Sequence, residues 1–161
     1  MKHDVELKGM GGWLSFFVFS FCILGPLLES GNLSETFREI TNRLNDARLA
    51  DNWHSFEKFS WGVFDVTLAL RLCAGLFLAK VFKPVSVRLT ITVLFIVPFI
   101  STIGIGVAFY HIYGEYLPGR LGDLFSGLVP AAIWTTYLNR SKRVRNTYYA
   151  GVEPVVANPD I

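Results

Sequence analysis

Residues 89–113 read LTITVLFIVPFISTIGIGVAFYHIY and contain no Asp, Glu, Lys or Arg. At 1.5 Å of rise per residue, a helix of this run exceeds the ~30 Å hydrocarbon core of a bilayer, which takes about 20 residues to cross. The run lacks the strict alternation of a barrel strand, and only helices and closed barrels satisfy their backbone in lipid. It therefore reads as a transmembrane helix.

Three further apolar runs flank it, at about 12–28, 59–82 and 117–138. Asp65 and Arg71 interrupt the second, and Arg120 and Asp123 lie in the first turns of the fourth. The first run is longer than a signal-peptide core and no small-residue cleavage site follows it, so it reads as a retained span. Composition agrees: of 161 residues, 52% are hydrophobic and only 17% charged, against about 25% charged in a typical soluble domain. The expected fold is an all-α membrane protein, a four-transmembrane-helix bundle within residues 1–149. Residues 150–161, with Pro154 and Pro159, are expected to form a flexible cytoplasmic tail.

Basic residues orient the bundle. Lys2, Lys8, Lys80, Lys83, Arg88, Arg140, Lys142, Arg143 and Arg145 fall on one side; Arg38, Arg43, Arg48, Lys58 and Arg120 fall on the other. The more basic side is the cytoplasm, so both termini are expected there, in a bacterial inner membrane. The cluster Arg140, Lys142, Arg143 and Arg145 reads as a membrane anchor near anionic headgroups.

The outer connection, 29–58, is too polar to span. Leu33, Phe37, Ile40, Leu44 and Ala47 recur at helical spacing, and Asn32 with Glu35 resembles a capping box. These residues predict an amphipathic helix on the periplasmic side, between spans 1 and 2. Phe37, Ile40 and Leu44 are its candidate partner-binding surface. Trp53, Phe56, Phe59 and Trp61 follow as an aromatic cluster at interface depth.

Arg71 is the most informative single residue, because a charge inside a span needs a partner. Asp65 is the nearest carboxylate in sequence, but six residues of helix place it about 9 Å along and ~120° around the axis. Asp123 and Glu29 are the inter-helix alternatives. Asp65, Arg71 and Asp123 form the candidate intramembrane polar site, either as an ion or substrate pathway or as a clasp that fixes helix pairing. Pro26, Pro98 and Pro130 predict kinks, and Gly104 with Ala108 and Gly127 with Ala131 permit close helix approach.

No residue pattern supports catalysis. The metalloprotease, nucleophile-elbow and phosphate-loop motifs are all missing from the sequence. Cys22 and Cys73 lie in apolar runs, and His3, His54 and His111 are scattered. No metal, cofactor or nucleic acid is expected.

Gly11-Gly12-Trp13-Leu14 opens the first span and Pro26 lies near its end. Trp134, Tyr137 and Leu138 close the fourth, followed by Ser141-Lys142-Arg143-Val144-Arg145-Asn146-Thr147-Tyr148. This arrangement resembles the small bacterial inner-membrane family catalogued as domain of unknown function 2569, over about residues 8–149. The resemblance implies four membrane helices with an outer loop after the first, and implies no activity. The expected function is a non-catalytic accessory protein that binds another membrane or envelope protein, for assembly, regulation or immunity. The alternative is a small oligomeric channel or transporter using Asp65 and Arg71.

Overall fold

A computed structural model describes residues 9–43, 47–114, 116 and 120–150. Among these the chain is all-helical: α1 (Trp13–Phe19), a π-turn (Ser20–Leu24), α2 (Gly25–Arg43), α3 (Ala47–Lys80), α4 (Pro84–Tyr113), α5 (Arg120–Arg140) and α6 (Lys142–Tyr148). Local chemistry sets several ends. Gly12 precedes α1 with φ +55°, a left-handed conformation that costs glycine little. Pro84 opens α4, where its missing N–H would be unpaired anyway. Gly114 ends it at φ +73°, its N–H donating to the Tyr110 carbonyl over 2.8 Å. Ser141 Oγ caps α6 by accepting from the Val144 N–H.

Residues 13–38, 52–80 and 84–113 are each long and apolar enough to cross a membrane. α5 has 21 residues, about 31 Å of helix, and is less apolar, with Asp123 in its first turn and Arg140 in its last. Many large apolar side chains face outward, among them Leu27, Leu28, Ile103, Phe125, Val129 and Ile133. Such a surface suits lipid, not water. This is the architecture of a membrane protein.

Neighbouring long helices run antiparallel, as contacts between distant positions show. Thr90 donates toward the Ala74 carbonyl at 3.4 Å, and Phe56 meets Phe109 with ring centroids 5.7 Å apart, so α4 folds back along α3. Phe37 meets Phe56 and Trp53, while Cys22 meets Gly75, so the first helix also runs against α3. Gly127 sits on Pro98, which aligns α5 against α4. Leu14, Phe17, Leu78, Val87, Leu94, Ala131, Leu138, Val144 and Tyr148 form the core at the α6 end. Phe37, Trp53, Phe56 and Ala108 form a second core at the far end.

The stretch expected to form a separate amphipathic helix differs. The first helix continues past 28 to Arg43, and α3 already begins at Ala47, so the polar connection is the tip of a long helical hairpin. The expected capping box at Asn32 does not form; the Asn32 carbonyl instead accepts from the Thr36 hydroxyl inside α2. The reason is continuity: no Pro or Gly breaks the run from Asn32 to Arg43, so helix propagation wins over a new start. Leu44 lies outside the described residues, as does the expected tail beyond Ala150.

Candidate functional site

The polar site is built where the π-turn meets α3. One extra residue in the turn Ser20–Leu24 resets the phase of α2 relative to α1. Across from it Gly75 leaves room for Cys22, whose thiol donates weakly to the Arg71 carbonyl at 3.6 Å. One turn on, Gly25 faces the Arg71 guanidinium; a methyl group there would make an ordinary contact with Arg71 Nη1 at 3.8 Å and a tight one with the Ser20 carbonyl oxygen at 3.1 Å. A further turn places Glu29 in reach, with Arg71 Nη1 2.7 Å from Glu29 Oε2. Arg71 is 16% exposed and Glu29 35%, so the pair is largely enclosed on the arginine side.

The ion partner of Arg71 is Glu29, on the neighbouring helix. Asp65 stands elsewhere, exposed on the outer face of α3, and forms no ion pair among the described residues. Asp123 lines the same cavity as Arg71 but is a bonded residue in its own right. Asp65 is thus not brought to Arg71, whereas Asp123 shares a cavity with it and Glu29 is its ion partner. Helical phase could have shown this, since Asp65 and Arg71 point ~120° apart.

Two cavities meet at the ion pair, sharing Glu29, Arg71, Val97, Pro98 and Gly127. The smaller, about 290 Å³, runs toward the α6 end between Phe21, Leu94, Pro130 and Ala131 and stops at Trp134. Ser20 borders it, and its buried hydroxyl has no hydrogen-bond partner among the described residues. The larger, about 640 Å³, runs to the far end and carries Asn32, Thr36, Ser60, Ser101, Thr102, Asp123 and Ser126 among apolar residues. Beyond the smaller cavity the α6-end core is closed. The two cavities thus form one cleft whose smaller end lies against Trp134 and the buried residues of that core.

Phe37 is 5% exposed and locked among Trp53, Phe56 and Trp61, so it faces into the protein. Trp53 is held in turn by its indole N–H, which donates to Thr41 Oγ1 over 3.0 Å. Ile40 lies in α2, but its side chain is outside the described set.

A family model described as a protein of unknown function (DUF2569) matches residues 7–149. The chain belongs to the DUF2569 family. No curated protein and no solved structure matches it. The DUF2569 match runs through α6, and the structure shows why both ends of the matched region belong to one fold. The Gly9 N–H donates to Thr147 Oγ1 over 2.8 Å. Tyr148 donates its hydroxyl to the Leu78 carbonyl over 2.7 Å and lies 3.3 Å from Met10 Sδ. Arg143 covers Gly11 so closely that any side chain there would collide with its guanidinium. Of the basic cluster, Arg143 is therefore partly enclosed, while Arg140, Lys142 and Arg145 are exposed around it. Burial pushes the Tyr148 phenol up to about 12.

Proposed function

We propose that this DUF2569 protein is a non-catalytic accessory protein of a bacterial inner membrane, with four spans, both termini cytoplasmic, and α3 as its partner-binding helix. The observation that carries the reading is the position of Asp65. It lies seven residues, about 10 Å of helix, past Lys58 in an apolar run, on the exposed face of α3. A carboxylate costs ~2.5–3.5 kcal/mol at the centre of a span and less toward its ends, and such groups almost always face protein or a water-filled cavity. Here Asp65 borders neither cavity.

The face around it has the form of a helix interface. Gly62, Asp65, Ala69, Cys73 and Leu76 follow one another along the exposed side of α3, and a methyl group on Gly62 would meet nothing within 4 Å. Small residues allow backbones to approach, and a polar side chain then fixes the register. A second copy is a poor occupant, because a two-fold interface would place Asp65 near its own mate. A different membrane protein presenting a cationic or hydroxyl-bearing helix fits better. The pathway alternative loses support because Asp65 and Arg71 point apart and Asp65 borders neither cavity.

The test is photocrosslinking in intact membranes from a probe at Ala69, compared with an Asp65→Asn variant. A discrete heterologous adduct that weakens several-fold in the variant supports the reading. Crosslinks to lipid alone, or an adduct indifferent to residue 65, overturn it.

A further inference from the structure

The packing order leaves a seam. α2 packs along α3, and α5 packs along α4 and against α6, but α2 and α5 form no comparable packing among the described residues. The seam is shut only toward the α6 end, where Trp134 meets Phe17 and Phe16 with ring centroids 4.8 and 6.2 Å apart. The smaller cavity lies in this seam, with Gly25 and Glu29 on one wall and Gly127, Pro130 and Ala131 on the other. Beside these lining positions the end of the π-turn exposes Leu24, α2 exposes Leu28, and α5 exposes Val129 and Ile133. The seam thus opens sideways onto an apolar surrounding.

We propose that this cleft is a lateral binding site for one zwitterionic phospholipid, its phosphate on Arg71, its ammonium on Glu29, and the start of one acyl chain in the smaller cavity. The inference rests on the four-span reading, and it does not depend on the partner of Asp65. Charge selects the guest. The Glu29–Arg71 pair is neutral overall and sits in a partly enclosed apolar site, where an unpaired charge is unfavourable. A simple anion arriving at Arg71 strips Glu29 of its counter-ion and faces it as a like charge; a simple cation does the same to Arg71. A guest carrying both signs exchanges one ion pair for two. The planar fork of arginine suits phosphate oxygens in two-point contact.

Shape selects a lipid over a small zwitterion. The smaller cavity is lined by Phe21, Leu94, Val97, Pro98 and Ala131, offers an apolar dead end, and adjoins the charged pair directly. The larger cavity offers Asn32, Ser101, Thr102 and Ser126 to the head and its water. Both volumes lie within or near the ~300–1,000 Å³ typical of ligand sites.

Native mass spectrometry of the full chain, released from nanodiscs of equal phosphatidylethanolamine and phosphatidylglycerol, tests this. The expected result is a one-to-one phosphatidylethanolamine adduct, favoured about tenfold over the anionic lipid. Glu29→Gln and Arg71→Gln each lose most of it. Because those variants also weaken the fold, Ser20→Leu is the deciding one: it fills the smaller cavity, removes an unpaired hydroxyl and leaves the ion pair intact. It is expected to keep helicity and thermal stability and to lose the adduct. Equal retention of both lipids, an undiminished adduct in Ser20→Leu, or a polypeptide crosslinked from Ser126→Cys in place of lipid overturns the site. Labelling Asn52→Cys and Gly122→Cys from outside separates the causes. If they do not label from the same side, the four-span reading fails; if they do and no lipid is held, only the site fails.

Discussion

Arg71 Nη1 and Glu29 Oε2 lie 2.7 Å apart, an ion pair that ties the first long helix to α3 at the junction of the two cavities. Removing one partner leaves the other charge in a partly enclosed apolar site. The cost should fall between the ~1 kcal/mol of an exposed pair and the ~3–5 kcal/mol of a fully buried one, because Glu29 keeps a third of its surface open. Arg71→Gln and Glu29→Gln should therefore each lower the thermal midpoint in mild detergent. The exchanged pair Glu29→Arg with Arg71→Glu should recover part of the loss. Two single variants as stable as the parent would show that the pair holds nothing together.

Gly127 and Pro98 define the spacing of α5 on α4. A methyl group on Gly127 would come within 2.9 Å of Pro98 Cβ and 3.0 Å of its Cγ, and a proline ring cannot swing away as a flexible side chain can. Gly127→Val is expected to push α5 outward and cost ~1–3 kcal/mol, the usual range for overpacking. Thermal unfolding of the purified variant measures it. An unchanged midpoint would mean that α5 is not seated on Pro98.

Gly75 and Cys22 are packed just as closely at the π-turn. Any side chain on Gly75 collides with Cys22 Sγ, whereas Cys22 Cβ would be 3.8 Å away, an ordinary contact. Gly75→Ala alone should destabilise by ~1–3 kcal/mol, and adding Cys22→Ala should return most of that. Strictly additive effects would place the two residues apart.

Much of this fold was readable from hydropathy. The charge-free run 89–113 lies wholly within α4, and the runs at 12–28 and 59–82 lie almost wholly within the first helix and α3. Hydropathy could not show that the first helix continues through Leu33 and Phe37 to Arg43, because a polar helical stretch reads the same whether it lies on a surface or extends a span. The π-turn was invisible for a related reason: Ser20-Phe21-Cys22-Ile23-Leu24 is an ordinary apolar sequence, and only packing against Gly75 reveals the extra residue. Arg71 stood out as a charge needing a partner, yet choosing Glu29 over Asp65 and Asp123 required the helix order. The terminal glycines and Ser141–Tyr148 were legible as a paired signature, but their meaning as one docked unit depended on Tyr148 reaching Leu78.

Tyr148 allows that docking to be tested by pH. Its ring is 2% exposed, its hydroxyl donates to the Leu78 carbonyl, and burial raises its phenol from 10.0 to about 12. A group whose pKa is higher in the folded state adds stability that is fully present below the unfolded value, here about 10, and is lost as pH climbs toward 12. The loss should reach about 1.4 kcal/mol by pH 11, since one pKa unit is worth 1.36 kcal/mol. Tyr148→Phe removes the donor and leaves the Leu78 carbonyl without it, so at pH 8 the variant should be less stable by ~1 kcal/mol. It has no phenol to ionise, so this part of the alkaline loss disappears. The two proteins should therefore differ at pH 8 and converge near pH 11, even though other tyrosines titrate in both. Thermal midpoints from pH 8 to 11.5 in one detergent measure the gap. A gap that stays constant across that window would mean that Tyr148 is not held neutral in the fold and that α6 is not docked through its hydroxyl.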